Sequence, residues 1–335
     1  MPSLALVPPH GRLLAISLLW VASQGLGGCV SPGNGEAQGA GETPEGEWTP
    51  PDPDAFLSAD SSQLLADLRF LASDGVEGRR TGTRGADRAR VYILTAFQRG
   101  TLDPMPGGFV QPFEFSSRRD TSVLYRGENV VGVIYGTDPE VGTIVISAHF
   151  DHVGIRDGEV YNGADDNASG TAALLSLARY FRWYPLRHTL ILAAFDAEEL
   201  GSRGAEAFVE AGWAEGAVLN VNMDMVSRSD SLLFAAGPFH YPELRPILEG
   251  VPARPPVVLR FGHDEPGVEG MNDWTNSSDH RAFHRRGIPF IYFGVENHED
   301  YHRPTDDFER VDPEFFVNAV RTILASVLAL DEGLG

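Results

Sequence analysis

Cysteine is nearly absent from this chain: there is one, Cys29, in 335 residues. A lone thiol closes no internal disulfide, so the fold has no cystine framework. Basic residues are also scarce, 26 against 47 acidic ones, for a formal net charge of -21. Binding a phosphate backbone requires a basic face, so nucleic acid is not expected as a partner. No segment repeats, which excludes a solenoid. No G-x-S-x-G elbow occurs, and Ser278-Asp279-His280 are too close in sequence to assemble a triad easily, so a serine hydrolase is poorly supported. What remains is ample for a core: 42% of the residues are hydrophobic, which argues against global disorder. The acidic surplus suits solubility outside a cell.

The N-terminus departs from the rest in composition. Residues 13–26 form an apolar segment preceded by Arg12. It is short for a membrane-spanning helix and has the layout of a secretory signal peptide. It ends in Leu26-Gly27-Gly28-Cys29, which resembles the bacterial lipobox. That resemblance implies cleavage before Cys29 and lipidation of its sulfur, hence an exported lipoprotein held on a membrane; the alternative is an ordinary signal peptide with a chance Cys. Residues 30–54 are rich in Gly, Pro, Glu and Ser and read as a flexible tether. The organisation expected is a signal peptide over 1–28, a tether over 29–54 and a single catalytic domain over 55–335.

From Ala55 the pattern is globular. Helical spacing predicts helices over 61–72 and 85–99, the second carrying Val91, Tyr92, Leu94 and Phe97. Between them, Gly78-Arg79-Arg80-Thr81-Gly82-Thr83 reads as a turn-rich basic patch. Strands are predicted over 109–115 and 129–135. Then strands over 143–147, 189–195, 217–223, 232–235, 257–261 and 289–293 interleave with helices over 169–183, 203–211, 242–249, 280–286 and 313–330. Strand alternating with helix implies an α/β fold, a three-layer sandwich with a mixed, centrally parallel β-sheet flanked by helices.

Three acid-rich islands sit at the ends of these elements. His149 lies at the C-terminal end of the strand over 143–147, where α/β folds place ligand sites. Asp151, two residues on, lies on the same side of an extended chain and can accept a hydrogen bond from the imidazole, fixing its tautomer. Strand alternation turns His152 to the opposite face, which favours His149 as the ligand. Asp165 and Asp166 precede a helix and suit capping, yet two adjacent carboxylates repel, and a cation offsets that. Glu198 and Glu199 follow the buried strand over 189–195, where a like-charge pair is costly without something positive between them. Asp224 follows another buried strand, and His302 stands in Asp300-Tyr301-His302-Arg303-Pro304-Thr305-Asp306. Together the islands offer two His, a terminal Asp, a terminal Glu and one Asp able to bridge. Nitrogen and carboxylate oxygen suit zinc, and this donor count matches a co-catalytic pair about 3.5 Å apart.

The order His-x-Asp, Gly-Ala-x-Asp-Asn-x-Ser-Gly, Glu-Glu, Asn-x-Asp-Met and Tyr-His-x-Pro-x-Asp resembles the co-catalytic zinc aminopeptidase family. That family includes bacterial leucyl aminopeptidases and relatives such as glutamate carboxypeptidase and glutaminyl cyclase. Gly78-Arg79-Arg80-Thr81-Gly82, Asn129-Val130-Val131-Gly132 and Ser278-Asp279-His280 resemble its further signatures. The resemblance implies two zinc ions. His149 and Asp224 would hold one, Glu199 and His302 the other, with Asp166 bridging. Asp151 would orient His149, and Asp165 would not be a ligand. Glu198 would be the general base for a zinc-bound water attacking the peptide carbonyl of substrates with a free N-terminus.

Rival readings have local support. His298-Glu299-Asp300-Tyr301-His302 matches the H-E-x-x-H zincin motif. That motif needs a helix, whereas a strand precedes this segment and Pro304 follows it closely. A single-zinc glutaminyl cyclase and an inactive binding protein on the same fold keep many of the same residues. The acidic loop over 262–276, with Asp264, Glu265, Glu269 and Asp273, reads as solvated, with reception of a substrate amine as the alternative.

Overall fold

The Val-, Ile- and Leu-rich runs of the chain's middle are buried on both faces, and this is what places them at the centre of a sheet. The computed structural model describes residues 52–117 and 121–334, so the signal segment, Cys29 and most of the tether lie outside the described residues. The strands are β1 (Asp103–Pro104), β2 (Val110–Ser116), β3 (Leu124–Ile134), β4 (Thr143–His149), β5 (Gly154–Arg156), β6 (Glu159–Tyr161), β7 (Thr189–Phe195), β8 (Ala217–Met223), β9 (Leu232–Ala236), β10 (Val258–Phe261) and β11 (Phe290–Gly294). The helices are α1 (Pro53–Leu71), α2 (Arg84–Arg99), α3 (Gly170–Phe181), α4 (Arg203–Glu210), α5 (Leu244–Glu249), α6 (His280–His284) and α7 (Pro313–Gly333).

The large sheet runs β1-β3-β7-β4-β8-β11-β9-β10, with β2 paired to β3. Its four central strands, β7-β4-β8-β11, are mutually parallel. Both flanks join them antiparallel, through β3 on one side and β9 on the other. Alternation along β7 divides the core. Leu190, Leu192 and Ala194 face one apolar layer with α1, α2, α3 and α7; Ile191, Ala193 and Phe195 face a smaller layer with α4 and α6. The expected three-layer α/β sandwich is therefore the fold. β5 and β6 form a separate two-stranded hairpin.

Three local expectations are corrected. The first helix begins at Pro53, inside the stretch read as tether. Asp52 accepts a bond from the Asp54 amide and Pro53 occupies the first turn, where its missing N–H costs nothing. On α2 the buried face is Ala86, Ala89, Ile93 and Phe97, while Val91 is 55% exposed. The supposed basic patch is no patch, because the Arg79 side chain is fully buried. Gly78 permits this. It sits at φ +63°, and a Cβ there would collide with the carbonyls of Tyr161 and Gly154. α7 is long and apolar enough to cross a membrane, but 67% of its most apolar window is buried within the fold.

Candidate metal centre

The parallel strands deliver the site. His149 is the last residue of β4, Asp224 follows the end of β8, and Glu198-Glu199 follow β7, so three adjacent strands end at one edge. Asp166 comes from the turn ahead of α3. His302 comes from the irregular segment after β11 and takes a left-handed conformation, φ +56°.

These residues form two clusters that share Asp166. In one, His149 Nε2 lies 3.2 Å from Asp224 Oδ1 and 3.5 Å from Asp166 Oδ1. In the other, His302 Nε2 lies 3.0 Å from Asp166 Oδ2 and 3.2 Å from Glu199 Oε1. Each Asp166 oxygen thus faces its own cluster. The second cluster has a further member. His152 Nδ1 is 2.8 Å from Glu199 Oε1 and 3.7 Å from Asp166 Oδ2. Alternation had turned His152 away. It fails here because β4 ends at His149, and the chain after it is no longer extended.

The electrostatics suit a cation. Burial acts to lower the pKa of His149, but the carboxylates of Asp224, Asp151 and Glu198 together outweigh it and hold the imidazole well above its usual range. Burial likewise acts to lower His302, yet bonds to Asp166 and Glu199 push it up to about 10. Glu199 is held well below the usual carboxylate range: burial would raise it, but the imidazoles of His152 and His302, 2.8 and 3.2 Å away, prevail. Both nitrogens of buried His152 and Oε1 of Glu199 lack a hydrogen bond of good geometry. Protons on His149 and His302 balance the carboxylates, and a divalent ion can take their place. The donor set of imidazole and carboxylate fits zinc.

Around the clusters, buried polar contacts fix the backbone. His149 Nδ1 meets the main-chain carbonyl of Asp151 at 3.1 Å, while the nearer carboxylate oxygen lies at 3.7 Å. Asp151 therefore orients His149 through its peptide group, which corrects the expected side-chain contact. Its carboxylate instead accepts from the amides of Glu198 (2.9 Å) and Glu199 (3.3 Å) and so sets the Glu pair. Thr81 donates to Asp196 at 2.8 Å and lies 3.4 Å from Asp151. Glu198 accepts from the Ser202 hydroxyl at 2.9 Å. Burial pushes its carboxyl well above the usual range, and the carboxylates of Asp279, Asp224 and Glu199 add to this.

Sequence reasoning missed several of these supports. Arg79 donates to the carbonyls of Phe150 (2.7 Å), Asn162 (2.6 Å) and Gly163 (2.9 Å), and also to that of Leu71. It ties the loop after β4 to the turn carrying Asp166. Asp306 accepts from the amides of Asp165 and Asp166, each at 3.2 Å. Both residues stand in the motif-like stretches noted in the sequence, but nothing in a motif tells a buried arginine from a surface one. Asp165 accepts from Ser227 and faces His298 at 3.2 Å, away from the two clusters. No helix spans 295–307, so the zincin geometry is absent. In the acidic loop, Asp264 is buried and accepts from the amides of Gly237 and Phe239, whereas Asp273 borders the site. A cavity of about 260 Å³ opens beside the clusters, walled by Met225, Trp274, Tyr292, Val295 and Tyr301.

Comparison with known proteins places this geometry. Residues 129–327 match the model of peptidase family M28. Aminopeptidase YwaD of Bacillus subtilis (strain 168) is 28% identical over 214 residues, covering 60% of this chain and 44% of the relative. The probable glutamate carboxypeptidase VP8 of Zea mays is 28% identical over 249 residues, covering 67% of this chain and 33% of the relative. The chain thus spans less than half the length of these two relatives. Among solved structures, the aminopeptidase from Aneurinibacillus sp. strain AM-1 shares the fold with a TM-score of 0.66 at 16% identity, over 83% of this chain and 95% of that one. Porphyromonas gingivalis glutaminyl cyclase shares it with a TM-score of 0.64 at 17% identity, over 80% and 97%. With a family match spanning most of the strand-end residues and both clusters, the chain belongs to peptidase family M28.

Proposed function

We propose that this chain is a zinc-dependent aminopeptidase holding two zinc ions, one at His149, Asp166 and Asp224, the other at Asp166, Glu199 and His302. The observation that carries the reading is the division of Asp166: one oxygen faces His149 and the other faces His302. The second cluster offers up to four side chains, enough donors for an ion of its own. Zinc, when bound, polarises the scissile carbonyl and makes water a nucleophile near neutral pH. Glu198 is placed to take the proton of the attacking water and to pass it to the leaving amine. Asp151 holds Glu198 in place through its amide. The aromatic-walled cavity receives the side chain of the first residue. Peptides with a free N-terminus are the substrates.

We further propose that Cys29 is lipidated and tethers the domain beginning near residue 55 to a membrane as an exported lipoprotein. Cys29→Ala should move the protein from the membrane to the soluble fraction.

The deciding experiment is a panel of aminoacyl and N-blocked peptides, with and without chelator. Cleavage of free but not blocked N-termini, lost on chelation and restored by zinc, is the expected result. Ammonia release from N-terminal glutamine without peptide cleavage would favour the cyclase instead. Glu198→Ala should lower kcat by about 10²–10⁴ while zinc content stays at that of wild type.

A further inference from the structure

Glu199 borders two cavities. On one side is the aromatic-walled pocket already described. On the other is a cleft of about 550 Å³ lined by Arg80, Phe115, Tyr125, Arg156, Leu200 and Gly201. The cleft is assembled from four separate pieces: the turn after Arg79, strands β2 and β3, the β5–β6 hairpin and the loop after β7.

Its two arginines differ from their neighbours. Arg126, on β3, pairs with Glu114 at 2.7 Å, and Arg203 pairs with Glu206 at 2.8 Å. Among the described residues Arg80 and Arg156 pair with no carboxylate. Arg80 makes one long bond, to the Val153 carbonyl at 3.4 Å. Arg156 lies over the Tyr161 ring at 5.7 Å and is otherwise exposed. Arg80 is held in place by its stem. Gly154 sits at φ +88° beneath it, and a Cβ there would approach Arg80 Cβ to 2.6 Å and Cδ to 3.1 Å. Two guanidinium groups without a carboxylate partner thus flank one cleft of a chain of net charge -21. Glu199 is the acidic group at the inner edge, and its charge is engaged by His152 and His302.

We infer that this cleft is the subsite for the leaving part of the substrate and that Arg80 and Arg156 bind a carboxylate there. The inference rests on the peptidase reading above. The peptide bond must lie over the two clusters, between the cavities. The smaller pocket has room for one residue, and the larger cleft takes the residues on the leaving side of the scissile bond. A guanidinium fork matches a carboxylate in shape and charge. That carboxylate has two sources: the C-terminus of a dipeptide, or an acidic side chain in the second position of a longer peptide.

The test compares Leu-Gly with Leu-Gly-amide, and Leu-Asp-amide with Leu-Asn-amide. Each is assayed for turnover on the zinc-loaded full chain and for affinity by calorimetry on its Glu198→Ala form. The carboxylate member of at least one pair should bind about tenfold tighter or better, as charge-assisted bonds do. The advantage should appear in KM more than in kcat. It should fall toward unity in Arg156→Gln and in Arg80→Gln. The first pair alone responding identifies the C-terminus as the ligand; the second alone identifies an acidic side chain. Equal affinities within both pairs, no binding of any member, or an advantage that survives both substitutions would overturn the proposal. If no peptide is cleaved, the peptidase reading fails, and the calorimetric arm still decides the subsite.

Discussion

The two halves of the metal centre are built differently. His149 and Asp224 stand at the tips of β4 and β8, neighbours whose register a parallel ladder fixes. The His149 side chain is 1% exposed. In the other half, Glu199 follows β7, but His302 arrives on an irregular segment, and its side chain is 37% exposed. That half compensates in donors, since His152 joins it. One half is therefore rich in constraint and the other in ligands. Constraint governs how readily an ion escapes, whereas ligand number and charge govern how tightly it is held. Affinity and exchange rate therefore need not rank the two sites alike.

Breaking the shared residue tests the division most severely. Asp166→Asn leaves each half with one donor fewer and no bridging charge. Zinc content measured by elemental analysis after gel filtration should fall from the proposed two per chain to well below one. Single-half substitutions should be milder. Asp224→Asn and His302→Asn should each retain about one zinc, and chelator should strip the ion left in Asp224→Asn faster than the one left in His302→Asn. Equal stripping rates would remove the contrast between strand-tip and loop ligation. Circular dichroism separates either outcome from unfolding.

Acid should weaken zinc binding in both halves. His149 is held above its usual range and His302 is pushed up to about 10, so both carry protons at neutral pH when no ion is bound. Zinc must displace those protons, so its affinity rises with pH until the histidines deprotonate unaided. Each displaced proton changes the apparent affinity by up to about tenfold per pH unit. Calorimetric titration in two buffers of different ionisation enthalpy should show net proton release at pH 7. Release of no protons would contradict the electrostatic account of both halves.

Arg79 braces the loop-facing side, because it holds the chain after β4 to the turn bearing Asp166. Burial lowers its pKa to about 10, so it remains charged at neutral pH, and the carboxylates of Asp166, Asp151 and Asp306 support that charge. Arg79→Ala would leave several buried carbonyls without a donor. A loss of roughly 3–5 kcal/mol in unfolding free energy is expected, read from denaturant midpoints. Arg79→Lys should recover only part, since one ammonium cannot span the same carbonyls. Within the site, the second cluster should lose zinc affinity before the first does.

The sheet was legible because its strands are continuous apolar runs, and the proposed ligands stand at or near their ends. β7 and β8 coincide with the expected spans, 189–195 and 217–223. A pattern of this kind records burial, which is a local property of each run. What it does not record is where an irregular segment goes. His152 was turned away by extending strand alternation past the end of β4. Arg79 looked like surface charge because its acceptors are backbone carbonyls, which carry no sequence signature. Asp52 and Pro53 looked like a linker because the residues that start a helix are also common in linkers. Asp151 shows the same limit at finer scale: its identity as a support was readable, but the atom through which it touches His149 depends on the turn it sits in.

The smallest effect expected concerns the support under the strand-tip half. His280, in α6, packs its ring on Phe290 and Tyr292 of β11 and donates from Nε2 to the Trp274 carbonyl at 2.8 Å. Its neighbour Ser278 accepts from Asn222 of β8, two residues before Asp224. Burial lowers the His280 pKa to about 4. The unfolded chain, with an ordinary value near 6.5, therefore takes up this proton first as the pH falls. More protons bound to the unfolded state means stability that rises with pH. The contribution is complete above about pH 6.5, declines as the pH falls toward 4, and amounts to roughly 3 kcal/mol at most. His280→Phe keeps a ring in place without a titrating group. Urea midpoints of wild type and variant should converge as the pH drops from 7 to 4.5, because only the wild type loses this contribution. If the difference between them is constant across that range, His280 does not titrate as described, and acid sensitivity must come from the carboxylates of the centre itself.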